Sequence, residues 1–140
     1  MKKATPQSLL NQALKAAKRA YAPYSQYEVG AAVLTTDGTV YTGCNVENAS
    51  HGLTLCAERV AIAKAVADGH RKFAAIAIAA GVRTPASPCG ACLQVLSEFC
   101  PTTLPIHCTT LDGKMVKKFT LHDFLPRSFT LKNGKDKEES

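Results

Sequence analysis

Residues 55–92 read LCAERVAIAKAVADGHRKFAAIAIAAGVRTPASPCGAC, and this stretch decides how the remaining chain must fold around it. Its first part, Leu55 to Ala67, is Ala-rich, apolar on most sides and closed by Asp68-Gly69, the pattern of a buried helix. Phe73 to Ala80 is a short run of small and branched apolar residues, as a central strand covered on both faces requires. The loop Gly81 to Pro88 then leads into a second helical stripe, Cys92, Leu93, Leu96 and Phe99, which ends before Pro101. A helix of ~13 residues advances ~20 Å and a strand of ~8 residues returns ~26 Å. The chain therefore comes back to the end at which it started. Cys56, at the start of the first helix, can meet Cys89 and Cys92 at the start of the second.

Working outward, Thr5-Pro6 is a helix start, a cap followed by a first-turn proline, and Leu9, Leu10, Ala13, Leu14 and Ala17 recur at helical spacing over roughly 6–20. Val29–Thr35 and Thr39–Asn45 are β-prone runs joined by Thr36-Asp37-Gly38, a hairpin signal. Beyond the central stretch, Leu104–Thr109 and Met115–Phe119 flank the turn Leu111-Asp112-Gly113. The order αββαβαββ places the chain in the α/β class, with a mixed sheet of five strands flanked by helices. Residues 1–131 read as a single domain. Lys132 to Ser140 is charged and lacks apolar anchors, so it is expected to be a disordered tail.

A chain of 140 residues can bury one core without disulfides. No stretch reaches the ~20 apolar residues of a membrane span. Thr5-Pro6-Gln7-Ser8 follows Met1-Lys2-Lys3 where a signal peptide would need an apolar run, so a cytoplasmic location and no membrane partner are expected. The formal charge of +6 comes from scattered Lys and Arg without interleaved aromatics. That is a solvated surface rather than a nucleic-acid groove. In a reducing compartment Cys44, Cys56, Cys89, Cys92, Cys100 and Cys108 read as metal ligands or buried thiols.

Three cysteines converging at helix ends are the donor set of a catalytic zinc, which keeps its fourth position open for water. Zinc lowers the pKa of that water toward ~7. Glu58 lies two residues from Cys56 on another side of the helix, so it can move protons without ligating the metal. Three thiolates weaken the metal's pull on water, and Arg59 together with the two helix N-termini would compensate. The alternative is a structural zinc with Cys44 as fourth ligand, which leaves a buried Glu58 beside the metal without a task. Outside that alternative, Cys44, Cys100 and Cys108 read as small buried hydrophobes. Alone, either Cys-x-Glu or Cys-x-x-Cys is a weak signal.

At Cys56-Ala57-Glu58-Arg59 and Pro88-Cys89-Gly90-Ala91-Cys92 the chain resembles the cytidine deaminase family, whose zinc signature these motifs match. Tyr21-Ala22-Pro23-Tyr24-Ser25, Val29-Gly30-Ala31-Ala32, Asn45-Val46-Glu47-Asn48-Ala49-Ser50, Gly52-Leu53-Thr54 and Leu125-Pro126 extend the resemblance, in order, from about residue 9 to 129. It implies a three-layer α-β-α sandwich and one catalytic zinc per subunit. The implied reaction is hydrolytic deamination of cytidine and 2′-deoxycytidine to the uridines, with release of ammonia, in pyrimidine salvage.

By position, the resemblance gives Asn45 and Glu47 to the ribose hydroxyls, where they otherwise read as a loop-capping pair. The backbone of Ala57 and the carbonyl of Ser87 would hold the pyrimidine edge. Phe129 would close a neighbouring subunit's site in a homotetramer. Two positions depart from the family pattern. Tyr27 stands where Phe usually packs against the pyrimidine, and His51 where bacterial members often have Tyr. The rivals are deamination of a related aminopyrimidine such as blasticidin S and, from another class, a non-catalytic zinc-stapled interaction module.

Overall fold

The computed structural model describes residues 4–131, so the expected tail lies outside the described residues. The elements are α1 (Pro6–Ala17), β1 (Gly30–Thr35), β2 (Val40–Cys44), α2 (Ala57–Ala67), β3 (Phe73–Ala79), α3 (Gly90–Phe99), β4 (Pro105–Thr109), β5 (Val116–Thr120) and α4 (Leu121–Phe124), with a 3-10 turn at His51–Leu53. The expected order αββαβαββ is present, and α4 is added to it.

α1 begins where expected because Thr5 and Ser8 cap each other reciprocally, at 3.0 and 2.8 Å, with Pro6 in the first turn. It ends at Ala17 rather than 20. Arg19 and Ala20 bond back three residues, to Ala16 and Ala17, in a tightened last turn, and the Tyr21 amide leaves to pair with the Asn45 carbonyl. α2 starts at Ala57 rather than Leu55, since Leu55 bridges to Val46 and Cys56 has the extended backbone of an N-cap.

The sheet order is β2-β1-β3-β4-β5. β3 and β4 run parallel through the α3 crossover, and the other neighbours are antiparallel, so the sheet is mixed. Its two faces separate by alternation. Ala32, Ala77 and Ala79 meet Leu9, Leu10 and Ala13 of α1. Ala31, Val33, Ile76, Ile78 and Ile106 meet Ala57, Ala61 and Ile62 of α2 and Leu93 and Leu96 of α3. The result is the three-layer α-β-α sandwich, with α1 alone on one side. Ile76, Ile78 and Ile106 are each at most 2% exposed, worth roughly 1.5–3 kcal/mol apiece in apolar burial.

Two glycines let the helices come close. A Cβ on Gly30 would lie 2.0 Å from the Ala13 carbonyl oxygen on α1, and one on Gly43 would lie 2.4 Å from the Ala57 carbonyl oxygen on α2. Register then positions the site. Gly30 stands opposite both Cys44 and Ala79, and Ala79 opposite Thr109. The segments 18–29, 45–56 and 80–89 therefore open at one end of the sheet, where α2 and α3 both begin.

Candidate active site

Cys56 and Cys89 are the N-cap residues of α2 and α3, and Cys92 lies within the first turn of α3. Neither N-cap makes a side-chain capping bond, which leaves both thiols free to face each other. Sγ of Cys56 is 3.9 Å from Sγ of Cys89, which is 3.4 Å from Sγ of Cys92, and all three lie within 4.8 Å of one another. Bonds of ~2.3 Å at tetrahedral angles set sulfurs about 3.8 Å apart, so this donor set fits a zinc ion. Cys44 is outside the cluster, its thiol directed at the Arg19 carbonyl oxygen at 3.5 Å. Cys44 and Cys100 are half-buried rather than buried, while Cys108 is buried. Burial pushes the Cys100 and Cys108 thiols up to about 12, which makes them poor ligands and poor nucleophiles.

Electrostatics differ among the three clustered thiols. Burial, then the Glu58 charge and the neighbouring thiols, pushes Cys92 well up. Burial also raises Cys89, but the Cys92 amide and the thiols of Cys92 and Cys56 outweigh it and hold Cys89 below the usual thiol range. Arg59 Nη2 donates to Cys56 Sγ at 3.5 Å and to the Thr54 carbonyl at 3.2 Å, which places its cation beside the sulfurs. Glu58 is 5% exposed. Burial holds its carboxyl above the usual carboxylate range, offset only in part by its own amide, the Cys92 thiol and the Arg59 charge.

A cavity of about 200 Å³ opens over this cluster, and Tyr27, Asn45, Cys56, Ala57, Glu58, Ser87 and Cys89 are among its walls. Val29, Leu55, Ile78, Ala80 and Ala86 give it an apolar lining. A larger groove, about 410 Å³, lies between α1 and α2 over β2 with Lys15, Arg19 and Lys64 on its rim. It holds no cluster of metal-ligating groups and no buried acid, so the smaller cavity is the better candidate.

The expected site residues do not all line that cavity. Arg59 and Cys92 sit behind it, and Phe129, 63% exposed, lies elsewhere on its own chain with its carbonyl accepting from Gln94 Nε2 at 3.0 Å. Glu47 is set back from the wall. Its carboxylate accepts from the Tyr24 and Ser25 amides at 3.0 and 3.1 Å and from the Ser25 hydroxyl. The Ser25 hydroxyl, before burial and the backbone, sets the direction in which Glu47 titrates, below the usual carboxylate range. Asn45 is 7% exposed, donates to the Tyr27 carbonyl at 2.8 Å and accepts from the Val29 amide at 2.9 Å. The loop-capping pair is thus present in this structure. Tyr27 is half-exposed on the cavity wall, and His51 packs edge-on against Tyr24 at 6.3 Å. Ser25, given no role by sequence, joins Glu47 to the Tyr27 amide. Only the carboxylate and hydroxyl 22 positions apart hinted at that.

Residues 3–108 match the family model described as the cytidine and deoxycytidylate deaminase zinc-binding region. The chain is 47% identical over 124 residues to a cytidine deaminase of Sporosarcina psychrophila, covering 89% of this chain and 90% of that one. It is 45% identical over 130 residues to a cytidine deaminase of Halalkalibacterium halodurans, covering 93% and 98%. The crystal structure of cytidine deaminase from Burkholderia pseudomallei superposes with a TM-score of 0.85 at 47% identity, covering 90% of this chain and all of that one. Such agreement over nearly the whole length, added to a zinc-binding match that spans both cysteine motifs, makes this chain a member of the cytidine deaminase family.

Proposed function

We propose that the protein is a zinc-dependent hydrolase that deaminates free cytidine and 2′-deoxycytidine to the uridines in pyrimidine salvage. The observation that carries this reading is the juxtaposition, on one cavity wall, of converging thiols and a buried carboxyl, Glu58. Cys56, Cys89 and Cys92 would hold one zinc per subunit. When bound, the metal supplies the Lewis-acid charge that makes water nucleophilic near neutral pH. Arg59 donates to Cys56 and so draws off part of the thiolate charge.

The remaining work falls to side chains and backbone. Glu58 takes a proton from the attacking water and delivers it to the ring nitrogen beside the amine-bearing carbon. It then takes the second proton, from the hydroxyl now bonded to that carbon, and passes it to the exocyclic amine, which leaves as ammonia as the carbon–oxygen bond becomes the carbonyl. The raised affinity of Glu58 for a proton suits this exchange, since a carboxyl that both accepts and donates works best nearer the operating pH. The Ala57 amide and Ser87 carbonyl hold the pyrimidine edge, and Tyr27 lies against its face.

Capping leaves Asn45 and Glu47 with capacity for the ribose. Asn45 keeps one amide proton and one lone pair, and Glu47, three of its acceptor positions used, keeps one. A hydroxyl that donates to Glu47 and accepts from Asn45 meets both requirements.

Phe129 is exposed and absent from its own cavity, and Tyr24, Leu53, Leu55, Val82 and Leu131 are exposed apolar side chains as well. This supports a homotetramer in which neighbours complete each site. Among the described residues no helix is long and apolar enough to cross a membrane. The free cysteines suit a reducing cytoplasm.

The test is an absorbance assay of purified protein on cytidine, deoxycytidine, cytosine and blasticidin S, with zinc content and mass in solution measured on the same sample. The reading predicts turnover of the two nucleosides, one zinc per chain and a four-chain particle. Zinc-loaded protein that turns over none of the four would be an interaction module instead.

A further inference from the structure

Among the described residues Gln26 is the one non-glycine with a positive φ, 57°. A side chain with a Cβ enters this region at a cost, and strain of that kind is kept where surrounding contacts impose it. Those contacts are on either side of Tyr27. The Gln26 amide donates to the Ala22 carbonyl at 2.9 Å, and the Tyr27 amide donates to the Ser25 hydroxyl at 3.0 Å, which in turn donates to Glu47. The Tyr27 carbonyl accepts from Asn45 Nδ2 at 2.8 Å. Both peptide groups flanking the one aromatic side chain of the cavity wall are therefore held by the 45–47 segment, one directly and one through Ser25. The Gln26 side chain itself is exposed.

We propose that Gln26 is a positioning residue for the substrate base, acting through its backbone: the left-handed turn at 26, locked by Ser25 and Glu47, aims Tyr27 into the cavity. Returning φ to the ordinary helical value would rotate the chain by roughly 120° at that point and carry the Tyr27 ring off the wall. This inference rests on the reading that Tyr27 lies against the pyrimidine. Tyr27 grips the substrate before and during reaction alike, so losing its aim weakens binding more than turnover.

The experiment uses the zinc-loaded protein and three variants, Gln26→Gly, Gln26→Val and Ser25→Ala. KM and kcat for cytidine, the Kd of uridine by calorimetry, and Tm are measured. Gln26→Gly takes the same φ without penalty and keeps KM within about twofold, with Tm unchanged or higher. Gln26→Val disfavours that φ and raises KM and the uridine Kd about tenfold, with kcat within about threefold. Ser25→Ala moves both constants in the same direction, and carries the test if the valine variant does not fold. Wild-type KM and uridine Kd in Gln26→Val, or in Ser25→Ala, overturn the proposal, as does a glycine variant as impaired as the valine one. A fall in Tm without a rise in KM marks an ordinary structural turn and overturns it too. Wild-type protein that neither binds nor turns over cytidine defeats the functional reading itself, and this inference with it.

Discussion

Replacing Gly43 by alanine should disable the site from a distance. The added Cβ would meet the Ala57 carbonyl oxygen at 2.4 Å and the Ala61 amide nitrogen at 2.6 Å, against 3.4 Å or more for ordinary contact. Both atoms are helix backbone, so no side-chain rotation relieves the clash, and α2 must withdraw from β2 by about 1 Å. Overpacking of this size costs roughly 1–3 kcal/mol, which lowers Tm by roughly 3–10 °C. The larger effect is chemical. Cys56 caps α2 and moves with it, so its sulfur, 3.9 Å from that of Cys89 and close to the ~3.8 Å spacing of a shared zinc, is displaced by about 1 Å from a geometry that fits the ion. Glu58 moves on the same turn, and a misplacement of about 1 Å can lower kcat/KM by ~10²-fold. Calorimetry, metal analysis and steady-state kinetics on Gly43→Ala would read all three effects. Wild-type zinc content and activity in this variant would refute the argument that close approach of α2 to β2 sets the metal geometry.

Other tests are shorter. Stripping the metal with a chelator should lower Tm, because a zinc held by Cys56, Cys89 and Cys92 would join the starts of α2 and α3; free zinc at about 100 times its Kd should restore roughly 2.7 kcal/mol, and a Tm indifferent to zinc would argue against a shared site. Cys44→Ala should keep the full zinc content, since that thiol faces the Arg19 carbonyl; metal loss would revive a four-thiolate structural site. His107 is buried on β4, and burial, then Lys118 beside it, holds its pKa below 6.5, so the unfolded chain binds the proton more readily. Its contribution to stability is full above about pH 6.5 and declines as pH falls from there toward the depressed folded value. Urea titrations at several pH values should show that slope reduced in His107→Gln, and an unchanged slope would contradict the assignment.

The path from sequence to structure was clearest where physical signals were local. Asp37-Gly38 forecast the hairpin, Thr5-Pro6 the start of α1, and the return distance from Cys56 to Cys89 the meeting of two helix ends. α4 was not legible, because four residues are too few for helical periodicity, and only Thr120 and Asp123 capping each other marked it. The end of α1 was overestimated because Lys18 to Ala20 have helical composition, while the pull of Asn45 on Tyr21 is a tertiary contact. The helix at Leu55–Ala67 reads as apolar on most sides and therefore buried, yet Ala63, Lys64 and Ala67 face outward on the single chain. Periodicity does not tell a helix buried in its own domain from one with a face left for a partner. The three thiols and Glu58 could be read from spacing, whereas the turn at Gln26 and the double engagement of Asn45 could not, being set by which loops the register brings together.

The most direct test of the account is Glu58→Ala, measured for zinc content and for cytidine turnover on one preparation. Cys56, Cys89 and Cys92 remain within 4.8 Å of one another without any contribution from the carboxyl, so the variant should keep its zinc. Turnover should fall by ~10²–10⁴, the loss expected when proton transfer has no positioned carrier. Zinc-loaded Glu58→Ala with activity close to wild type would contradict the central claim.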